Sequence, residues 1–413
     1  MDAQAASSDT ERSELAQHWP ILAVAFLVSL VSTGLRFAIG PFMGPLVDEF
    51  GFTQAELSGI VAVTMLVFGL ALPITGRCAD RWGSRAVAAA GTVLMAAALL
   101  LVAVARSPLV FTLSFAGIAS LALAATGQVA LSPVISRWFR RQRGLAMMFL
   151  SAGGMGGIAV MTPVSTALIG AVGWRATYLV FAAFALALQL PLVLRWIRDD
   201  ASGSANAASP AVPWQPALAT APFWLLACGL FACGFSMHLM GTHGVPMLEH
   251  HGFGSMTASF GVGLIGLVSI GGTLALGVLS DRVGRAAFLA LIYLVRGLGF
   301  LALVAAGQEW ELYMTAAVGG LAWAGSAALT SAITADLYGA RVVGTLYGLL
   351  YFGHQIGAAA GSYMGGWAFE HLGDHAPAFV AAAVLLFIGS AASWRIGAYR
   401  TGARFVAGAK QPA

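Results

Sequence analysis

The sequence predicts an all-α integral membrane protein with twelve transmembrane helices in two pseudo-symmetric six-helix bundles. Three observations lead there. Of its 413 residues, 59% are hydrophobic and 9% are charged, whereas a soluble domain carries roughly 25% charged residues. Apolar runs of about twenty residues, the length that crosses a hydrocarbon core, recur along nearly the whole chain. One loop motif occurs twice, 201 residues apart. Runs this long and continuous exclude a transmembrane barrel, whose strands alternate over about ten residues.

The elements follow in order. Residues 1–19 form a polar tail with Asp2, Asp9, Glu11 and Glu14; it lacks the basic start of a cleavable signal, so the first apolar run is read as a retained span. The first six spans fall at 20–42, 55–76, 86–105, 108–135, 144–170 and 175–197. The second six fall at 221–247, 257–280, 286–306, 310–336, 343–368 and 376–398. Only the connection at 198–220 is long. It contains ASGSANAASPAVP, and small residues with prolines make a linker rather than a core. It separates a bundle at 20–197 from one at 221–398, and a tail follows at 399–413.

Charge gives orientation. The formal net charge is +4, but the basic residues are scattered through short loops instead of forming a nucleic-acid patch. Lys410 is the only lysine, so the rest are arginines. Seventeen basic residues fall on the side of the termini, against Arg106 and Arg175 on the other. The positive-inside rule puts both termini in the cytoplasm. Trp19, Trp138, Trp174, Trp196 and Trp310 stand at span ends, where interfacial aromatics belong.

The repeat is GRCADRWGSR from Gly76, between spans 2 and 3, and GVLSDRVGR from Gly277, between spans 8 and 9. Arg143-Gly144 and Val343-Gly344 open spans 5 and 11 at nearly the same offset. On these residues the chain resembles the major facilitator superfamily over essentially its full length. The stretches GLRFAIGPFMGPLVDEFG (34–51), SRWFRRQRGLAMMFLSAGG (136–154), GWRATYL (173–179) and FGHQIGAAAG (352–361) are similar to its bacterial branch related to monocarboxylate transporters. The resemblance implies carriage of a small organic anion, often with a proton, in a bacterial inner membrane. It also implies that helices 1, 4, 7 and 10 line a central cavity. One departure stands out. Thr273 and Ser269 occupy the positions where the animal monocarboxylate carriers have an arginine and a carboxylate.

Charges at mid-membrane cost at least about 2.5–3.5 kcal/mol each and point to function. Two of the 38 formally charged residues lie deep in spans, and both are arginines. Arg36 sits about 18 Å from the outer end of span 1, and Arg296 about 16 Å into span 9. A guanidinium offers a planar fork to a carboxylate. No Asp or Glu lies as deep; Asp336 is nearest, at the end of span 10. A buried positive balance favours an anionic substrate over a cation or polyamine. Both arginines also have structural readings: snorkelling or backbone bonding for Arg36, bracing of helices for Arg296.

His238 and His354 can titrate near neutral pH and are candidates for proton coupling; a hydrogen-bonded core histidine is the plainer reading. Gln128, Trp323, Tyr347, Tyr351 and Gln355 complete the candidate substrate-binding set, with packing as the alternative for the aromatics. Gly76, Asp80, Arg81, Gly83 and Arg85, with Asp281 and Arg282 of the second copy, are candidate conformational-gate residues. Asp80 suits a neighbouring helix N-terminus, and the arginines suit loop carboxylates that part as the halves rock. The glycines of 151–157 and 357–361 suit either sliding or static close packing.

No catalytic dyad, metal cluster or phosphate loop is present. Cys78, Cys228 and Cys233 read as small apolar side chains or a loop thiol. No cofactor or metal is expected, and neither an enzyme nor an ATP-driven pump fits. The expected partners are a small organic anion, protons and the lipid bilayer. The rival readings are an exporter of amphipathic compounds and a membrane sensor that binds without transport.

Overall fold

A bilayer core offers no partner to an exposed peptide group, so a chain this apolar must satisfy its backbone within helices. The computed structural model describes residues 14–139, 143–199, 214–323, 325–339 and 342–399, with side chains except at 14–16, 143, 144 and 273–283. Among the described residues there is no strand. Ten helical segments among these residues are long and apolar enough to span a membrane. One of them, Leu145–Trp196, has 52 residues and turns at Gly173, where φ is 80° and ψ is 163°. That left-handed φ suits glycine, which has no Cβ to clash, and it makes the segment two spans. Val343–Leu372 is a further 30-residue helix, whose glycines and polar residues lower its hydropathy. Twelve spans result.

They are α1 (Gln17–Phe37), α2 (Gln54–Trp82), α3 (Ser84–Val104), α4 (Pro108–Trp138), α5 (143–172), α6 (174–196), α7 (Ala221–His250), α8 (Ser255–Val283), α9 (Arg285–Val304), α10 (Glu309–Tyr338), α11 (Val343–Leu372) and α12 (Ala376–Ile396). The first is shorter than the run at 20–42 suggested. Pro41 has no N–H to give the Phe37 carbonyl, so the α-helix stops at Phe37. A 3₁₀ turn (Gly40–Phe42) and a short helix (Met43–Phe50) carry the chain onward. A capping box between Thr53 and Glu56 then starts α2.

The glycine stretches act within halves. Gly153 and Gly157 of α5 lie against the Phe26 and Leu30 backbone of α1, and Gly357 and Gly361 of α11 against that of Phe231 and Phe235 in α7. The pairs α1/α5 and α7/α11 are therefore equivalent, which is the pseudo-symmetry seen in packing. The halves meet where α2 packs on α11 and α5 on α8.

Cross-half hydrogen bonds among the described residues lie toward the end away from the termini. Glu370 Oε2 accepts from the Ala55 N–H at 3.1 Å. Ser58 Oγ lies 3.1 Å from His243 Nε2, which donates within its own half to the Ser362 carbonyl at 2.8 Å. Thr166 Oγ1 and Ser259 Oγ are 2.5 Å apart. A Cβ on Gly366 would strike Ser58 Oγ and the Gln54 carbonyl, so α2 and α11 can approach this closely only with glycine there.

At the opposite end, Gly83 (φ 87°) turns the chain from α2 into α3. The N-terminus of α3 is capped by Asp199, which accepts from Ser84 N at 2.8 Å and Arg85 N at 2.9 Å. Asp80, Arg81 and Arg85 are exposed. The anion at this helix N-terminus is thus Asp199, just past α6, and not Asp80. The side chains of Thr273, Asp281 and Arg282 lie outside the described residues, as do residues 1–13, 200–213 and 400–413.

Candidate functional site

Three helices lose their regular path at the same place. α1 stops just after Arg36. α4 leaves helical geometry at Gly127 (φ −81°, ψ −178°), immediately before Gln128. α10 gives way at Ala322 (φ −92°, ψ 8°), immediately before Trp323. Interrupted helices at membrane depth are tolerated where the freed backbone lines a cavity. Here all three surround a cavity of about 400 Å³ between the halves.

Six of the nine candidate substrate residues line it: Arg36, Gln128, Trp323, Tyr347, Tyr351 and His354. The Arg36 guanidinium lies 5.1 Å from the Phe37 ring centroid and 4.6 Å from that of Phe68. Its Nε has no hydrogen-bond partner. Gln128 Nε2 donates to Ser151 Oγ of α5 at 2.9 Å. His354 stacks on Tyr351, with ring centroids 5.0 Å apart and planes 3° from parallel. Its Nδ1 is buried without a partner.

Three candidates sit behind the wall. Arg296 is completely buried. Its guanidinium covers the Trp323 ring at 4.2 Å, and Nη1 donates to Cys233 Sγ at 3.4 Å. α9 is an outer helix of its bundle, so an arginine pointing inward meets the backs of α7 and α10. His238 lies behind Phe37, stacked on it at 4.7 Å. Gln355 is buried where α11 meets α2, against Gly69, and both its amide atoms lack partners. One residue apart on a helix is a rotation of about 100°; that is enough to turn Gln355 away from the cavity His354 faces.

Sequence reasoning missed several wall residues. Cys233 lines the cavity 3.2 Å from Ser326 Oγ. Met148, Met155, Met237 and Ile270 supply apolar surface. No charge or motif marks these positions. Helical spacing relates them only to other unmarked positions: Met237 lies four residues after Cys233, and Met155 four after Ser151. Among the described residues that line the cavity, none is acidic. Ser269, in the departure from the animal carriers, is buried and donates to the Gly266 carbonyl at 2.7 Å. Asp336 is held at the end of α10 by Arg285, through 2.8 and 2.9 Å bonds, so it belongs to the membrane edge.

A twelve-helix fold with a central inter-half cavity and a repeated loop motif defines a membrane transporter. The chain belongs to the Major Facilitator Superfamily, whose family model matches residues 25–307 and 244–412. It is 26% identical over 393 residues to YcxA, an MFS-type transporter of Bacillus subtilis (strain 168), covering 91% of this chain and 93% of that one. It is 27% identical over 403 residues to human (Homo sapiens) monocarboxylate transporter 11, covering 90% and 81%. It is 23% identical over 394 residues to the oxalate:formate antiporter of Oxalobacter formigenes, covering 91% and 92%. In fold it resembles the crystal structure of a bacterial homologue of the human lysosomal transporter Spinster, in an inward-facing and occupied conformation. The TM-score is 0.76 at 16% identity, over 97% of this chain and all of that one.

Proposed function

We propose that this protein is a secondary active carrier of a small organic anion, most simply a carboxylate, working by alternating access. Arg36 is the anchor. The observation that carries the reading is an arginine at the cavity wall with an unpartnered Nε, among lining residues that include no acid. A low-dielectric chamber with that charge balance attracts an anion and repels a cation. The printed names of two relatives, a monocarboxylate transporter and an oxalate:formate antiporter, agree with this sign.

The halves, 20–197 and 221–398, rock about the cavity. Support comes from their pinning at one end and from exposed Asp80, Arg81 and Arg85 at the other, with Asp281 and Arg282 as the equivalent positions. Proton symport is the coupling we favour, the proton travelling with the acid or on His354. Both termini face the cytoplasm, a reading supported by the distribution of arginines, and the resemblance to bacterial carriers favours a bacterial inner membrane. A second reading, export of an amphipathic compound, is favoured by the methionine and phenylalanine surface of the cavity.

The test is ligand-induced thermal stabilisation of purified protein, with monocarboxylates, dicarboxylates, sugars and organic cations, on wild type and Arg36→Gln. A ligand that binds the folded state raises its apparent stability by mass action. Carboxylates should shift wild type and not the variant. Shifts by cations or neutral amphiphiles alone, unchanged in Arg36→Gln, would replace this reading with the exporter.

A further inference from the structure

The cavity wall carries two chemically distinct patches, and only one of them is charged. On the first, Arg36 presents the one guanidinium among the described residues that line the wall. On the second, Trp323 is 2% exposed and His354 is 4% exposed. Both line the cavity, and neither Trp323 Nε1 nor His354 Nδ1 has a protein partner. An indole N–H can only donate, and a buried donor left without a partner calls for a ligand or water. Phe37, Phe68, Met155, Met237 and Ile270 add apolar surface to the wall, and Gln128, Ser151, Ser326 and Ser331 add neutral polar groups.

Trp323 is also held in place. The Arg296 guanidinium sits over its ring at 4.2 Å. Phe300 lies nearly parallel, 6° off, at 6.4 Å. A cation over the ring face draws electron density from the indole and strengthens its N–H as a donor. Arg296 therefore acts through Trp323 and is a positioning residue. The volume, about 400 Å³, is room for at least about a dozen waters. A three-carbon hydroxy acid has roughly half as many non-hydrogen atoms.

From this geometry we infer that the substrate is a monocarboxylate with an apolar body of aromatic size and a hydrogen-bond acceptor at its far end. Arg36 takes the carboxylate, and Trp323 reads the acceptor. The inference rests on the anion-carrier reading and narrows it. A second carboxylate is disfavoured because Arg296, the other deep cation, is sealed behind Trp323.

The experiment measures binding of matched acids to the purified full chain by thermal shift. Para-methoxyphenylacetate carries a distal acceptor, and para-ethylphenylacetate has nearly the same shape without one. Lactate and oxalate represent small acids. Wild type should bind the methoxy acid about tenfold more tightly than the ethyl acid, since a site with a buried donor rejects a ligand that leaves it unpaired. Trp323→Phe should erase that preference while still binding the ethyl acid within about threefold of wild type. Arg296→Lys, which keeps a cation over the ring, should retain the preference. Equal binding of the two arylacetates by wild type, or a preference that survives in Trp323→Phe, overturns the assignment of Trp323. Binding of lactate or oxalate alone, lost in Arg36→Gln, overturns the size class and leaves the anion-carrier reading standing. No binding by any acid overturns both. Trp323→Tyr, with a donor elsewhere on the ring, is the second variant if Trp323→Phe does not fold.

Discussion

Arg36 and Arg296 are the two cations at membrane depth, one in each half, and the fold treats them oppositely. Arg36 is partly exposed at the cavity wall, with its guanidinium over the Phe37 and Phe68 rings. Arg296 has no exposed surface, and its contacts are a ring face, a thiol and the distant Cys233 carbonyl. The same side chain thus lines the cavity in one bundle and is packed out of reach of it in the other. Depth alone marks both residues as unusual; only the helix face separates their roles.

The largest effect should come from Arg296. Truncating a large, fully buried side chain costs about 3–5 kcal/mol, so Arg296→Ala should lower the thermal midpoint far more than Arg36→Gln does. The measurement is a melt of both variants without ligand. An unchanged or raised midpoint for Arg296→Ala would reverse the comparison, because Arg296 would then be a strained charge retained for transport.

The rim offers a titratable counterpart. His375, which precedes α12, is 1% exposed and donates from Nδ1 to the Gly365 carbonyl at 3.0 Å. Burial pushes it down to about 4, against partial support from that carbonyl and from Asp374. A histidine with a lowered folded value disfavours protonation in the folded state. Its contribution is complete above about pH 6.5 and is lost as pH falls toward 4, on the order of 3 kcal/mol. His375→Gln, which can still donate to Gly365, should flatten stability against pH across that window. An unaltered slope would place the acid sensitivity elsewhere.

Much of the fold was legible because the bilayer imposes it: an apolar run of twenty residues has little choice but to span. Arg36 was legible because its charge stands in such a run. The fate of Arg296 was not. Its partners Cys233 and Trp323 lie on other helices, 63 and 27 positions away, and sequence does not say which face of α9 turns inward. The breaks in α4 and α10 were equally hidden. Gly127 and Ala322 read as ordinary span residues, yet those breaks place Gln128 and Trp323. The glycine stretches were readable as close-packing sites, but whether they joined helices within a half or between halves required the tertiary structure. Asp199 looked like the start of a linker and is the cap of α3.

A conservative change tests how far Arg36 depends on its shape. Arg36→Lys keeps the charge and loses both the planar fork and the stacking on Phe68, so it should bind a carboxylate about tenfold more weakly, or about 1.4 kcal/mol. Binding equal to wild type would mean that charge alone anchors the substrate.

The smallest effect belongs to a third arginine, which calibrates the other two. Arg175 bonds Glu49 at 2.8 Å. It also donates to the Ala103 and Ala105 carbonyls at 2.7 and 2.8 Å and covers Trp174 at 4.3 Å. Arg175 and Glu49 side chains are 33% and 44% exposed, so water already screens the pair, and exposed pairs contribute about 0–1 kcal/mol. Glu49→Gln should therefore change the thermal midpoint little, and less still at high salt, because the carbonyls and the indole continue to hold the guanidinium. A loss approaching that of Arg296→Ala would show that the outer edge of the N-terminal half depends on this ion pair. Exposure would then be a poor guide to what an arginine does in this protein, and the contrast between Arg36 and Arg296 would lose its basis.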